Sequence, residues 1–368
     1  MSGEADSAGF RLQAIEFKDI PGWGEDRHGA ALAAFRRGAA VLADHPPKTR
    51  VTGIDVGALA AVITEADGLP EADDAAARAF FEARFVPHEV VPNAGAGFFT
   101  AYYEPVVTGS RQRSPAFATP IYARPDDLVE IDPDDPPAGI DAGTRFARRT
   151  ADGLTPYPDR GAIQDGVLEG RGLEIVWLAD PIDAFFIHIQ GAARIRLAEG
   201  GETRITYAAK SGHPYTPIGR VLIESGALPP GGATMATIRG WLADHPDEAA
   251  AVMAKNRSFI FFREAPVEDP ALGPVAAAKV PLTAGRSLAV DRLVHSFHMP
   301  VWVDTRLPDG TPFRRLMVAQ DTGSAIVGAA RGDLFLGSGE AAGAVAGAMS
   351  GKGRFVLFVP RPAGERAG

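Results

Sequence analysis

Two aspartates twelve residues apart, Asp321 and Asp333, lie in the densest polar and glycine-rich stretch of the chain, QDTGSAIVGAARGDLFLGSG over 320–339. Each stands at the edge of a strand-like run beside glycine. Small neighbours let a substrate approach a carboxyl closely. A carboxyl enclosed there has a raised pKa and can serve as a general acid. Aspartates of this kind also cap turns and helix ends, and on these residues alone both roles stay open. A second group is aromatic and polar. Phe98, Phe99, Thr100, Tyr102 and Tyr103 cluster in one run, Gln190-Gly191 closes another, and Tyr207-Ala208-Ala209-Lys210-Ser211-Gly212-His213 runs from a strand end into a turn. Hydroxyls, amides and ring faces at strand ends suit a sugar ligand, although any one of these rings equally suits a core.

Several other chemistries are set aside. Asp321-Thr322-Gly323-Ser324 spells the D-T-G-S of aspartic proteases, whose carboxylate pair shares a proton. Gln320 stands where those enzymes have a small or apolar residue. No second D-T/S-G follows, since Asp304-Thr305-Arg306 lacks the glycine. Arg331-Gly332-Asp333 matches an adhesion tripeptide only at chance level. The chain has no Cys, which excludes disulfides, cysteine nucleophiles and thiolate metal sites. Its eight His form no H-E-x-x-H and no close ligand pair, so no metal is expected. His188, in an apolar run read as a strand, is expected to be a satisfied core residue. Gly337-Ser338-Gly339 is too short for a nucleophile elbow, and there is no phosphate-binding loop. No cofactor is expected. A net charge of −9 argues against a nucleic-acid partner.

The elements that must position these residues follow from texture. At 368 residues the chain is long enough for about two domains. Gly (42) and Pro (30) together make about a fifth of it, against roughly 12% on average, which points to many turns and a β-rich fold. The first 90 residues read as helical, with segments at 28–44, 57–67 and 71–85. Strands are expected at 97–104, 172–178, 184–190, 193–197 and 203–207, and again at 258–263, 286–290, 301–305, 313–320, 333–336 and 354–359. Helices are expected at 217–225 and 233–255, the second broken at His245-Pro246-Asp247. No run of about 18 apolar residues occurs, so no transmembrane helix is expected. The start, Met1-Ser2-Gly3-Glu4-Ala5-Asp6, is acidic and lacks the apolar core of a signal peptide. That leaves a cytoplasmic protein or a form without its export signal.

At these residues the sequence resembles the membrane-bound lytic murein transglycosylase A family, the MltA type. The matching segments, in order, are Phe99-Thr100-Ala101-Tyr102-Tyr103-Glu104-Pro105, Pro120-Ile121-Tyr122, Ile189-Gln190-Gly191 and Tyr207 to His213. They continue with Ile218-Gly219-Arg220-Val221-Leu222-Ile223, Asn256-Arg257-Ser258-Phe259, Val280-Pro281-Leu282 and the whole of 320–339. The resemblance implies a mainly β fold with helices. A double-psi β-barrel domain would take 1–104 and 266–368, a second β-barrel would be inserted at 105–265, and a groove would lie between them. It implies cleavage of the β-1,4 bond between N-acetylmuramic acid and N-acetylglucosamine without water. Asp333 would be the catalytic acid, Asp321 the second important carboxyl. Glycan contacts would fall on Thr100, Tyr102, Tyr103, Gln190, Gly191, Tyr207 and Lys210. Ala101 stands where Gly is familiar, and Ala192 where Ser is. The partner implied is the peptidoglycan strand and the place the periplasm, with outer-membrane association in a full-length form. A monomer is expected.

Overall fold

The structure is a computed structural model that describes residues 9–71 and 73–362. The chain up to Tyr103 and from Pro270 onward forms one compact unit, and Glu104–Asp269 forms the other.

In the first unit the strands run in the order Phe10–Ala14, Phe85–Pro92, Ser350–Pro360, Pro300–Arg306, Pro312–Asp321, Ser287–Val290, Arg331–Ser338 and Gly97–Glu104. Ser350–Pro360 also pairs with Gly97–Glu104, so the last six close into a ring. Neighbouring strands here are mostly antiparallel, but Ser287–Val290 runs parallel to Pro312–Asp321. Closure demands tight backbone approach. A Cβ on Gly97 would sit 2.5 Å from the Gly353 carbonyl oxygen, and one on Gly332 would sit 2.8 Å from the Phe99 ring. Glycine is therefore required at both places. Inside lie Phe99, Val303, Met317 and Phe355, while Trp302 and Phe358, on the other face of their strands, pack against Trp23; all are essentially free of solvent. Helices cover the outside. His28–Arg36 buries Ala31, Leu32, Ala34 and Phe35 on one stripe. Asp55 and Asp73 cap the next two helices, Val56–Asp67 and Asp74–Arg84, by accepting backbone N–H bonds.

Two strands depart from the helical expectation for the first 90 residues. Phe10–Ala14 pairs antiparallel with Phe85–Pro92. Pro87 and Pro92 explain the second: each lacks the N–H that a helix interior needs. Pro87 and Pro92 can still accept from a neighbouring strand, and the Pro87 carbonyl does so from Ile15.

The second unit holds a six-stranded sheet ordered Ile260–Ala265, Glu202–Lys210, Ala192–Leu197, Val106–Ser110, Glu174–Leu178, Thr119–Tyr122. A bridge between Ala123 and Phe262 ties its two ends together. A three-stranded sheet, Leu128–Glu130, Phe146–Thr150 and Gly153–Thr155, flanks a loop at 131–143 punctuated by Pro and Asp. The helices Met235–Asp244 and Pro246–Ala254 break at His245, with Pro246 at the first helical position, as expected.

One expectation is corrected here. Residues 184–190 are not a strand but part of the helix Pro181–Gln190. Asp180 caps it through the Ile182 N–H at 2.7 Å, Pro181 opens it, and Gly191 ends it at φ 79°. His188 on this helix is buried, and its Nδ1 accepts the Ile260 N–H at 3.2 Å. Burial, with Arg160 nearby, holds its pKa well below the usual value. Glu104 is also buried, clamped by Arg204 through Nε at 2.5 Å and by Arg194 at 3.2 Å.

Candidate active site

The two aspartates meet across one short strand. Ser287–Val290 lies between Pro312–Asp321 and Arg331–Ser338, and Ala289 is the register partner of both Asp321 and Asp333. The pairing 288↔319 is followed by 289↔321, so a bulge skips Gln320. A one-residue shift turns a side chain to the other face of a sheet. Here it puts Asp321 level with Asp333 and sends Gln320 into the core. Gln320 is fully buried, accepting from Ser287 Oγ at 2.6 Å and donating to the Ala34 carbonyl at 2.8 Å. It thereby pins the helix His28–Arg36 to the strand that ends in Asp321. With strands about 4.8 Å apart, the two aspartate Cα atoms stand roughly 10 Å from each other.

The Gly97–Glu104 strand supplies the partners. Alternation puts Thr100 and Tyr102 on the face of the aspartates. The Thr100 hydroxyl donates to Asp333 Oδ1 in a short hydrogen bond, and Arg331 donates to Thr100 Oγ1 at 2.6 Å. Asp333 Oδ2 has no hydrogen-bond partner among the described residues. The Tyr102 hydroxyl donates to Asp321 Oδ2 at 2.8 Å, and the Ala277 N–H reaches Oδ1 at 3.3 Å. The Thr322 N–H adds a third donor to Asp321. The Tyr102 ring rests on Phe335 with centroids 5.3 Å apart.

These environments differ in charge. Burial pushes the Asp333 carboxyl up to about 6; the Thr100 bond and nearby Arg331 pull it down, and Asp321 pushes it up again. Asp321 is also raised by burial, against the three donors that favour its charged form. Burial and the two carboxylates hold Tyr102 well above its usual value, so it stays a neutral donor. Among the described residues no group of three or more His, Asp or Glu could hold a metal ion.

Tyr103 falls on the other face of its strand. Its ring lies against Gly343 of the helix Glu340–Ala348, 2.7 Å from where a Cβ would stand. The remaining expected contacts belong to the second unit and gather about one hairpin. Gln190 ends its helix and Gly191 follows it. Ala192 pairs with Thr206, which puts Gly191 level with Tyr207. Lys210 comes three residues later, past a bulge between Tyr207 and Ala209, and pairs with Ile260. Arg331 was missed from sequence, although its place two residues before Asp333 puts both on one strand face. Gln320 was noticed only as a misfit to the protease motif.

A family model described as the MltA specific insert domain matches residues 98–263, and one described as the 3D domain matches 286–359. Membrane-bound lytic murein transglycosylase A of Escherichia coli strain K12 is 30% identical over 285 residues, covering 74% of this chain and 68% of that protein. The chain belongs to the membrane-bound lytic murein transglycosylase A family. Among solved structures, a membrane-bound lytic murein transglycosylase from Agrobacterium tumefaciens is 45% identical, covers 96% of this chain and 99% of its own, and has a TM-score of 0.89. MltA from Neisseria gonorrhoeae is 32% identical over 97% of this chain and 94% of its own, with a TM-score of 0.80. E. coli MltA with bound chitohexaose shares the fold at 24% identity and a TM-score of 0.69. In the frame of the MltA family, the insert-domain match begins at Phe98 on the Thr100 strand, and the 3D-domain match spans the strands that carry both aspartates.

Proposed function

We propose that Asp333 alone serves as acid and then base in this lytic murein transglycosylase. The enzyme cleaves the β-1,4 bond between N-acetylmuramic acid and N-acetylglucosamine in peptidoglycan and leaves 1,6-anhydro-muramoyl ends. The observation that carries the assignment is the unequal treatment of the two carboxyls. Asp321 has both oxygens engaged, whereas Asp333 has one oxygen on Thr100 and one open.

Arg331 occupies the Thr100 oxygen as a donor, so the hydroxyl proton of Thr100 points to Asp333 Oδ1. The acid proton then resides on Oδ2. Asp333 gives that proton to the glycosidic oxygen. The C1–O4 bond breaks through an oxocarbenium-like transition state, and the N-acetylglucosamine side leaves as an alcohol. The carboxylate next takes the proton of the muramoyl C6 hydroxyl while O6 bonds to C1. Asp333 ends protonated, as it began, and no water is consumed. The nucleophile is tethered to the reacting sugar, so the ring closure gains from proximity.

A hydrolase would need a second, unengaged carboxylate to activate water or attack C1. Asp321 is tied by Tyr102 and Ala277 instead. Its part is to hold Tyr102 and to add negative charge beside Asp333, which keeps the acid protonated. An aspartic-protease dyad shares a proton between touching carboxyls. Among the described residues no hydrogen bond joins these two. Thr100, Tyr102, Gln190, Gly191, Tyr207 and Lys210 contact the glycan, and Tyr103 supports the strand of Thr100 and Tyr102 from its other face, against Gly343. Chitohexaose, bound by the E. coli relative, is a suitable ligand for this chain as well. The protein acts on glycan strands as a monomer, since one chain supplies every residue assigned here. We place it in the periplasm at a membrane, supported by the membrane-bound name of the Escherichia coli relative; among the described residues no helix is long and apolar enough to cross one.

Purified murein sacculi incubated with the protein test this reading. Soluble muropeptides ending in 1,6-anhydro-muramic acid, one water lighter than reducing ends by mass spectrometry, are expected. Reducing ends would mean a hydrolase.

A further inference from the structure

The strand that pairs with Thr100 on its other side carries a charge the mechanism does not use. In the register of Gly97–Glu104 with Ser350–Pro360, Thr100 faces Ser350 and Phe98 faces Lys352. Directly opposed residues of an antiparallel pair share a face, with Cβ atoms about 5 Å apart. Phe98 is 40% exposed. The Arg331 guanidinium lies over its ring at 5.3 Å. Lys352 stands beside it, exposed. Among the described residues neither cation is held in an ion pair.

Lys352 also lines a cleft of about 550 Å³, with Ser350, Arg306, Arg314, Arg354 and Asp304 among its walls. Arg314 is neutralised by Asp304 at 3.0 Å, and Arg354 by Glu89 at 2.7 Å. Arg306 is spent only on the Gly310 carbonyl, at 2.8 Å. Lys352 and Arg306 therefore leave the cleft net positive, one strand away from Thr100 and two from Asp333.

We propose that Phe98, Arg331, Lys352 and this cleft form a subsite for the carboxylates carried on the lactyl arm of a muramoyl residue bound at Asp333. The inference rests on the transglycosylase reading and extends it to the acidic part of the substrate. Muramic acid differs from N-acetylglucosamine by the lactyl arm. That arm ends in a carboxylate when bare and in an acidic stem peptide when amidated. An extended stem of three or four residues spans roughly 10–14 Å, enough to run from the Thr100–Ser350 pair into the cleft. Ring and cations divide the work: Phe98 takes the apolar face of the arm, and the cations take its charge.

Binding to the Asp333→Asn protein tests the subsite without turnover. The probes are chitohexaose, a bare N-acetylglucosamine–muramic acid oligosaccharide, the same oligosaccharide with its lactyl carboxylates converted to methylamides, and one bearing tetrapeptide stems. Lys352→Glu in that background is expected to weaken the carboxylate-bearing probes about tenfold, with the loss shrinking in high salt. It should leave chitohexaose and the methylamide within twofold. Loss on the bare oligosaccharide assigns the lactyl carboxylate, and loss on the stemmed probe alone assigns the peptide. Equal loss on all four probes, or none on any, overturns the proposal. Arg306→Ala, on the far wall of the cleft, should weaken the stemmed probe alone; unchanged binding there would remove the peptide from the cleft. Failure of the transglycosylase reading would appear separately, as reducing ends in the sacculus digest.

Discussion

Two enclosed carboxyls, Glu104 and Asp333, are treated in opposite ways. Glu104 in the second unit is 1% exposed and clamped by Arg194 and Arg204, themselves buried. Asp333 in the first unit has a hydroxyl on one oxygen and no ion pair among the described residues. Taking a charge out of water is expensive unless it is paired and hydrogen-bonded. The first arrangement meets that cost with two guanidiniums. The second leaves it unmet and so raises the carboxyl to about 6. A clamped carboxylate is a structural part. An underserved one keeps its proton available near neutral pH, which is what general acid catalysis needs.

The contrast breaks most visibly at Asp333. Asp333→Asn should lower release of anhydro-muramoyl products by about a thousandfold or more while oligosaccharide binding persists. Retained turnover would move the acid elsewhere. Next in size is the clamp. Glu104→Gln leaves two buried guanidiniums facing each other and should destabilise the protein by about 3–5 kcal/mol in urea unfolding. A change under about 1 kcal/mol would mean the cluster reaches solvent.

The same asparagine should stabilise the fold. The Asp333 carboxyl is raised from about 3.9 in the unfolded chain. Above pH 6 it is ionised in both states and the folded state bears a penalty of about 3 kcal/mol; below about pH 4 it is protonated in both and the penalty vanishes. Asp333→Asn should therefore raise the melting temperature most at pH 8, with the gain fading as pH falls through 6. A gain independent of pH would contradict the assignment of the charge. Thr100→Val removes the one hydrogen bond to the charged form. It should move the alkaline limb of kcat/KM upward and cost about tenfold in rate. Smallest is Asp321→Asn, which removes a neighbouring negative charge, moves that limb downward and cuts activity several-fold.

Much of the β fold was legible because its signals are local. Gly97–Glu104 carries aromatic and Thr residues closed by Pro105, and His245-Pro246 marks a helix break that the structure keeps. The run at 184–190 misled because a short apolar stretch has no readable period. Its true signals lay just outside it, in Asp180-Pro181 at one end and Gly191 at the other. The helix Glu340–Ala348 was hidden among glycines. The identities of both aspartates were legible as a polar, glycine-rich stretch. Their juxtaposition was not, because it depends on a bulge that skips Gln320 and on Ala289, an unremarkable residue of another strand. Nor was the Arg331–Thr100–Asp333 relay, which joins residues more than 230 positions apart.

The most direct measurement is a carbon NMR titration of the aspartate carboxyls from pH 3 to 9, with Asp333→Asn to assign the resonance. A midpoint near 6 is expected for Asp333, with product formation on sacculi falling along the same curve as pH rises. A midpoint near 4, or an activity curve that ignores it, would contradict Asp333 as the proton donor.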